Sequence, residues 1–177
     1  TMSVDESQIT ADFTADTTYG EAPFTVQFTD QSTAQGNEIA SWLWDFGDDS
    51  TSAEENPVHN FTAPGNYTVT LTITDTTGNL SATEVKEDFI TVVSLMVEFS
   101  ADNTLGEAPL AVQFTDQSTA SGTEIASWLW DFGDDSTSTE QNPSHNYETA
   151  GMYTVSLTVT DSSGIISSTD TLSTPIT

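Results

Sequence analysis

The sequence contains no cysteine, no arginine and a single lysine, Lys86. Without cysteine there is no disulfide and no thiol chemistry, although export remains open, because disulfides are only one of its marks. The scarcity of cations excludes more. Twenty-eight acidic residues stand against Lys86, giving a formal charge of −27 over 177 residues. A nucleic-acid partner is ruled out, since binding a phosphate backbone requires cations that displace its counterions. Anionic membrane surfaces repel such a chain. Long apolar runs are missing too: none approaches the roughly 18 residues of a membrane span, so no membrane insertion is expected.

The chain opens at Thr1 without a secretory leader, so the expectation is that a targeting segment was removed or was never included. Dense like charge weakens a compact state by self-repulsion, which salt screens and bound cations relieve. A saline exterior or a divalent ligand would each suit this composition. A disordered acidic tail would not, because nine phenylalanines, four tryptophans and regular apolar alternation supply a core that tails lack.

One unit occurs twice. SWLWDFGDDSTS at 41–52 returns at 127–138, and VQFTDQSTA at 26–34 returns at 112–120, always 86 positions on. Solenoid modules repeat every 20–50 residues or about that, so the longer period marks a small domain in tandem. Within each copy the apolar period is two. Tyr67, Val69, Leu71 and Ile73 share one face, with Thr68, Thr70, Thr72 and Thr74 on the other. Phe24, Val26 and Phe28 alternate likewise, as do Trp42, Trp44 and Phe46. This is the pattern of half-buried antiparallel strands, and threonine keeps strand propensity on a wet face. Gly36, Gly47, Pro57, Pro64, Gly65 and Gly78 punctuate the runs. No helical stripe accompanies them. The expected class is all-β, with two tandem β-sandwiches at 11–95 and 96–177 behind an N-terminal extension at 1–10.

WDFGD at 44–48, NPxH at 56–59, GxYxVxLxxxD at 65–75 and the closing Gly78 have counterparts at 130–134, 142–145, 151–161 and Gly164. Together these motifs resemble the PKD domain family, and the match runs over nearly the whole chain. The resemblance implies an immunoglobulin-like sandwich, usually extracellular, that serves as a spacer, adhesive or interaction module. One departure matters. The family usually has WDFGDG, whereas Asp49 and Asp135 replace the last glycine. Aspartate tolerates left-handed turn geometry better than most residues, so the fold is expected to persist with an extra carboxylate at each turn.

Those turns form the first candidate site. Asp45, Asp48 and Asp49, and Asp131, Asp134 and Asp135 in the second copy, crowd hard oxygen ligands onto one loop, which suits calcium. Use of the acidic turn in this way is also what the resemblance implies for some family members. The competing reading is that the carboxylates accept backbone N–H bonds and fix the turn. The spacing is not that of an EF-hand loop. No cofactor is required, and calcium is the one these residues bring forward.

Catalysis is not expected, because acid–base work needs two carboxyls in contrasting environments across a cleft. His59 and His145 follow Asn-Pro with no nucleophile-elbow serine, and read as turn or core hydrogen-bonding residues. Trp42, Trp44 and Phe46 read as core, against a sugar-stacking platform, which needs exposed rings. Asn60, Asn66 and Asn79 each open an N-glycosylation acceptor triplet, all in the first copy.

The two copies end differently. Phe89, Ile90, Thr91, Val92 and Val93 read as the closing strand of the first. Only Ser94 and Leu95 separate it from the next opening strand at 96–102, so stiff coupling is expected. At the same offset Phe89 and Ile90 meet Pro175 and Ile176, leaving the second closing strand short, while residues 1–9 correspond to 87–95. Either the sequence is a piece of a longer multi-domain chain, or its first residues complete a neighbour's second domain. In the latter case Met2, Val4 and Ile9 form the apolar set of a donated strand, head to tail. The sequence points to a non-enzymatic extracellular structural protein of the cell surface: a subunit of a filament, surface layer or adhesin, self-associating or bound to other surface proteins. The alternative is a ligand-binding accessory module of a secreted polysaccharide- or protein-degrading enzyme.

Overall fold

Aromatic and β-branched residues at every second position commit this chain to strands. The computed structural model describes residues 8–177, and every helix-or-strand element among them is a strand. Contacts divide the chain into two units that meet between Val93 and Ser94. The expected class, two tandem immunoglobulin-like β-sandwiches, is the one observed.

The first unit contains β1 (Gln8–Thr10), β2 (Phe13–Ala15), β3 (Tyr19–Glu21), β4 (Phe24–Asp30), β5 (Thr33–Gln35), β6 (Ile39–Asp45), β7 (Thr51–Ser52), β8 (Val58–Phe61), β9 (Gly65–Asp75) and β10 (Ser81–Met96). One sheet runs β10-β9-β6-β7 with β3 parallel beside β10, the other is β2-β4-β8, and β1 pairs with β5. The second unit contains β11 (Phe99–Ala101), β12 (Leu110–Asp116), β13 (Thr119–Ser121), β14 (Ile125–Asp131), β15 (Thr137–Ser138), β16 (Ser144–Tyr147), β17 (Ser156–Asp161) and β18 (Ser167–Thr171). Its sheets run β15-β14-β17-β18 and β11-β12-β16. Ser94, Leu95 and Met96 at the end of β10 pair with β13, so the connection read from the sequence is strand rather than loop.

Register builds the core. Trp44 lies opposite Leu71 and Trp42 opposite Ile73, and residues directly opposite in an antiparallel pair share a face. Trp44, Val69, Leu71 and Ile73 are fully buried, as are Phe13, Val26 and Phe28 from the other sheet. The Phe13 ring meets Trp44 edge-on at 5.1 Å and Phe28 meets it at 5.6 Å. The indole N–H of Trp44 donates to the Glu54 carbonyl at 2.8 Å, so the buried ring leaves no unpaired donor. Trp130 repeats this in the second unit, buried and donating to the Glu140 carbonyl at 2.9 Å.

The single cation is committed to the same core. Lys86 donates to Asp12 Oδ1 at 3.0 Å and to the Phe13 carbonyl, with its ammonium 4.6 Å from the centre of the Phe13 ring. This ties β10 to β2 across the sandwich. Its counterpart 86 positions on is Leu172, which packs against the second core and replaces the ion pair with apolar contact.

Trp44→Ala removes the largest buried side chain of the first core and should cost about 3–5 kcal/mol, the range for deleting a buried aromatic. Urea unfolding followed by far-ultraviolet circular dichroism checks this, with Trp130→Ala acting on the second unit. A loss under about 1 kcal/mol, as at a surface position, would contradict the assignment.

Candidate functional site

The acidic turn begins where β6 ends. Asp45 Oδ1 accepts the amide of Gly47 at 2.9 Å, and the Phe46 amide donates to the Ser50 carbonyl at 3.2 Å. Gly47 has φ +79°, and a Cβ there would lie 2.5 Å from the Thr68 carbonyl oxygen, so glycine is required. Asp49 takes the left-handed conformation at φ +67° and Asp135 at +68°, as expected for the residues that replace the family's glycine.

Asp48 turns back into the sandwich. Its Oδ1 accepts the Ser50 amide at 3.2 Å and the Ser50 hydroxyl, and its Oδ2 accepts from His59 Nε2 at 2.8 Å. His59 belongs to β8, in the opposite sheet, where Pro57 and Val58 lead it in and it pairs with Val26. The imidazole stacks flat on Phe46 at 4.1 Å and meets the edge of Phe61 at 4.6 Å. The turn of one sheet is thus clasped to a strand of the other. The second unit repeats the clasp: Asp134 Oδ2 to His145 Nε2 is 2.8 Å, and His145 stacks on Phe132 at 4.2 Å.

A second tie runs alongside. Trp42 is half-buried and its indole N–H donates to Asp30 Oδ2 at 2.8 Å; Trp128 does the same to Asp116 at 2.7 Å. Asn56 Oδ1 accepts the Asp30 amide at 2.9 Å, which anchors the Asn-Pro turn against β4. Asp75 and Asp161 are the buried carboxylates of the described core. Asp75 accepts from Asn37, Thr77 and the amides of Asn79 and Leu80 at 2.6–3.1 Å, closing the turn after β9.

Asp48, His59 and Ser50 have the composition of a hydrolytic triad but not its wiring. A triad needs the carboxylate on one ring nitrogen and the nucleophile on the other. Here both contacts converge on Nε2, at 2.8 Å from Asp48 and 3.2 Å from Ser50, and the Ser50 hydroxyl donates to Asp48. No ring nitrogen is left facing the hydroxyl as a base, so the group holds the turn and activates nothing.

The turn does not gather Asp45, Asp48 and Asp49, or Asp131, Asp134 and Asp135, around a point. Among the described residues no group of three or more acidic or histidine side chains could hold a metal. Asp45 and Asp48, like Asp131 and Asp134, accept N–H or O–H donors within their own turns, the arrangement that the competing reading expects. Of the donated-strand residues, Met2 and Val4 lie outside the described residues. Ile9 pairs with Ala34 of its own unit and packs on its own core, so it is not free to leave. Asn60, Asn66 and Asn79 are all exposed, Asn79 on the turn after β9. Sequence reasoning missed the Asp48–His59 and Trp42–Asp30 pairs as pairs. The available signal was that both partners recur at the 86-residue offset.

Burial pushes the Asp48 carboxyl up, but the bonds from Ser50 and His59 outweigh it and hold it below the ordinary carboxylate value. Asp134 is lowered against the same opposing burial by Ser136 and His145. A carboxylate whose pKa falls on folding stabilises the native state at neutral pH, and that contribution vanishes as pH drops through the folded value, below 3.8. Asp48→Asn should therefore destabilise the first unit by about 1.5–3 kcal/mol at pH 7, the range for charge-assisted bonds. The gap to the unaltered protein should narrow as acid protonates Asp48. A gap that stays constant from pH 7 to about 2 would remove the clasp from the account. Calcium gives a separate check: at high constant salt, millimolar calcium should raise the melting temperature no more than magnesium does, and a calcium-specific rise lost in Asp48→Asn would establish an ion site at the turn.

A family model described as the PKD domain matches this chain twice, at residues 6–92 and 96–176. Collagenase ColA of Bacillus cereus is 44% identical over 84 residues, which cover 47% of this chain and 8% of the collagenase. The microbial collagenase of Vibrio alginolyticus is 47% identical over 64 residues, 36% of this chain and 8% of that protein. The solved PKD1 domain of the Vibrio cholerae metalloprotease PrtV is 36% identical, with 48% of this chain and 95% of that domain covered and a TM-score of 0.41. The chain thus spans under a tenth of the length of these two collagenases.

Proposed function

The chain belongs to the PKD domain family, and we propose that it works outside the cell as a non-catalytic accessory module of a secreted protein that degrades a protein polymer. The observation that carries this reading is the place of the similar stretches: in large proteins named as collagenases they are a small part of the whole. The two domains themselves are non-catalytic, and their Asp-His-Ser group is wired as a clasp. The polysaccharide variant of this reading loses its support, because Trp44 and Phe46 point inward and no exposed large apolar side chain among the described residues is aromatic.

The surface that suits a protein polymer is the outer face of the larger sheet. Leu43, Thr72 and Thr83 form one cross-strand row, and Asp45, Thr70 and Val85 the next. Leu43 and Val85 are 55% and 50% exposed, and Leu129 repeats the feature at 51% in the second unit. An apolar side chain set among hydroxyls offers a flat, weak contact, and two copies add avidity. The acidic coat attracts the cationic side chains of such a polymer. The exposed Asn60, Asn66 and Asn79 would carry glycans without disturbing either core.

Incubated with insoluble collagen, the 177-residue chain should cosediment with the fibres, less so in high salt, and leave the collagen uncleaved. Leu43→Asp combined with Leu129→Asp should lower the bound fraction about tenfold, equivalent to about 1.4 kcal/mol. A chain that stays in the supernatant at low salt would overturn the proposal.

A further inference from the structure

The smaller sheet of the first unit turns an uncharged face to water. Its outward residues are Thr14, Thr25, Gln27, Thr29, Val58 and Asn60, with no carboxylate among them in a chain of charge −27. Val58 and Asn60 stand two positions apart on β8, so they share that face, and both are exposed, Val58 at 59%. The Thr25 hydroxyl donates to Asn60 Oδ1 at 3.1 Å. That bond holds the amide by its oxygen, and Nδ2 has no hydrogen-bond partner among the described residues. Asn60, Phe61 and Thr62 make an acceptor triplet whose reactive atom is that nitrogen. At the counterpart positions of the second unit each part of this changes. Asn146 Nδ2 donates to Glu148, which stands in place of Thr62, and Ser144 stands in place of Val58. Among the described residues no exposed large apolar side chain lies on β11, β12 or β16.

We propose that Asn60 Nδ2 carries an N-linked glycan whose first sugar rests on Val58. This needs only the extracellular placement argued above, not the contact with collagen. Transfer joins C1 of the first sugar to Nδ2 and breaks the bond from C1 to the phosphate oxygen of a lipid-linked oligosaccharide. The lipid phosphate leaves with the electron pair, and Nδ2 gives up one proton. Phe61, the middle residue of the triplet, is buried in the folded unit, so transfer precedes the docking of β8 on β4. A substituted amide keeps its carbonyl oxygen as an acceptor, so the Thr25 bond survives and fixes the direction in which the glycan leaves. The aliphatic face of a sugar ring covers the Val58 methyls and removes apolar area from water. Neutral side chains make up the rest of the face, so the sugar desolvates no carboxylate there. The other two triplets lack the seat: half-buried Pro64 and polar Thr77 stand two positions before Asn66 and Asn79.

Peptide mapping by mass spectrometry of protein purified from its natural source should find the glycan on the peptide that contains Asn60. Thr62→Val should abolish it while leaving the Thr25–Asn60 bond in place. The same chain made in a host without glycosylation provides the bare form. The glycan should raise the melting temperature of the first unit by about 3–6 °C over the bare form, the shift expected from covering one small apolar side chain in a domain of this size. Val58→Ser should keep the glycan and lose most of that rise. Glu148→Thr creates the triplet at Asn146, and a glycan there should leave the melting temperature of the second unit unchanged, because Ser144 offers no seat. The proposal is overturned if Asn60 is unmodified in the natural protein, or if the glycan stabilises the unaltered chain no more than it stabilises Val58→Ser. Neither result would touch the collagen reading, which cosedimentation of the bare form tests.

Discussion

Burial of the Trp44 indole between two sheets is the constraint from which the rest of each unit follows. A ring of that size stabilises a small domain only if its N–H finds an acceptor out of reach of water, and the Glu54 carbonyl provides one. The strand that carries Trp44 must then turn at once, because Phe46 takes its own place in the core. Phe46 offers its outer face to His59, and His59 holds Asp48, whose carboxylate caps the turn. One buried aromatic thus organises a turn, a histidine and a carboxylate on two sheets. The second copy reproduces the chain of contacts to within about 0.1 Å at each polar distance.

The acidic composition divides by use. A subset of aspartates is structural: Asp12, Asp48, Asp75, Asp116 and Asp134 all have lowered pKa values. Each is tied down by hydrogen-bond donors, which favours the charged form. Most of the remaining carboxylates lie at the surface, where they add to the repulsion that salt screens. Lys86 does not neutralise this surface. It is drawn under the first sheet, against Phe13 and Phe89, where its stem packs as much as its charge binds.

Differences between the copies are as informative as their identity. Lys86 with its Asp12 partner becomes Leu172, so an ion pair and an apolar plug solve the same packing problem. Breaking the ion pair would leave a charge beside the core, whereas the leucine carries no such liability. The other difference lies at the closing strand. β9 extends back to Gly65 because β10 pairs with it there, whereas β17 starts only at Ser156, with a single bridge at Tyr153 before it.

The sequence by itself determined the class, the duplication and the inward tryptophans, because alternation along a strand is local and an identical repeat shows at a glance. It also located the left-handed turn at Asp49, since backbone preference is carried by the residue that adopts it. Only the tertiary structure decided what the carboxylates do. Asp48 meets His59 across 11 positions, Trp42 meets Asp30 across 12, and Lys86 meets Asp12 across 74. Such pairs form when two sheets close on each other, and no periodicity within one strand announces which residues will face across the gap. The same holds for Ile9, whose commitment to Ala34 depends on where β5 lies.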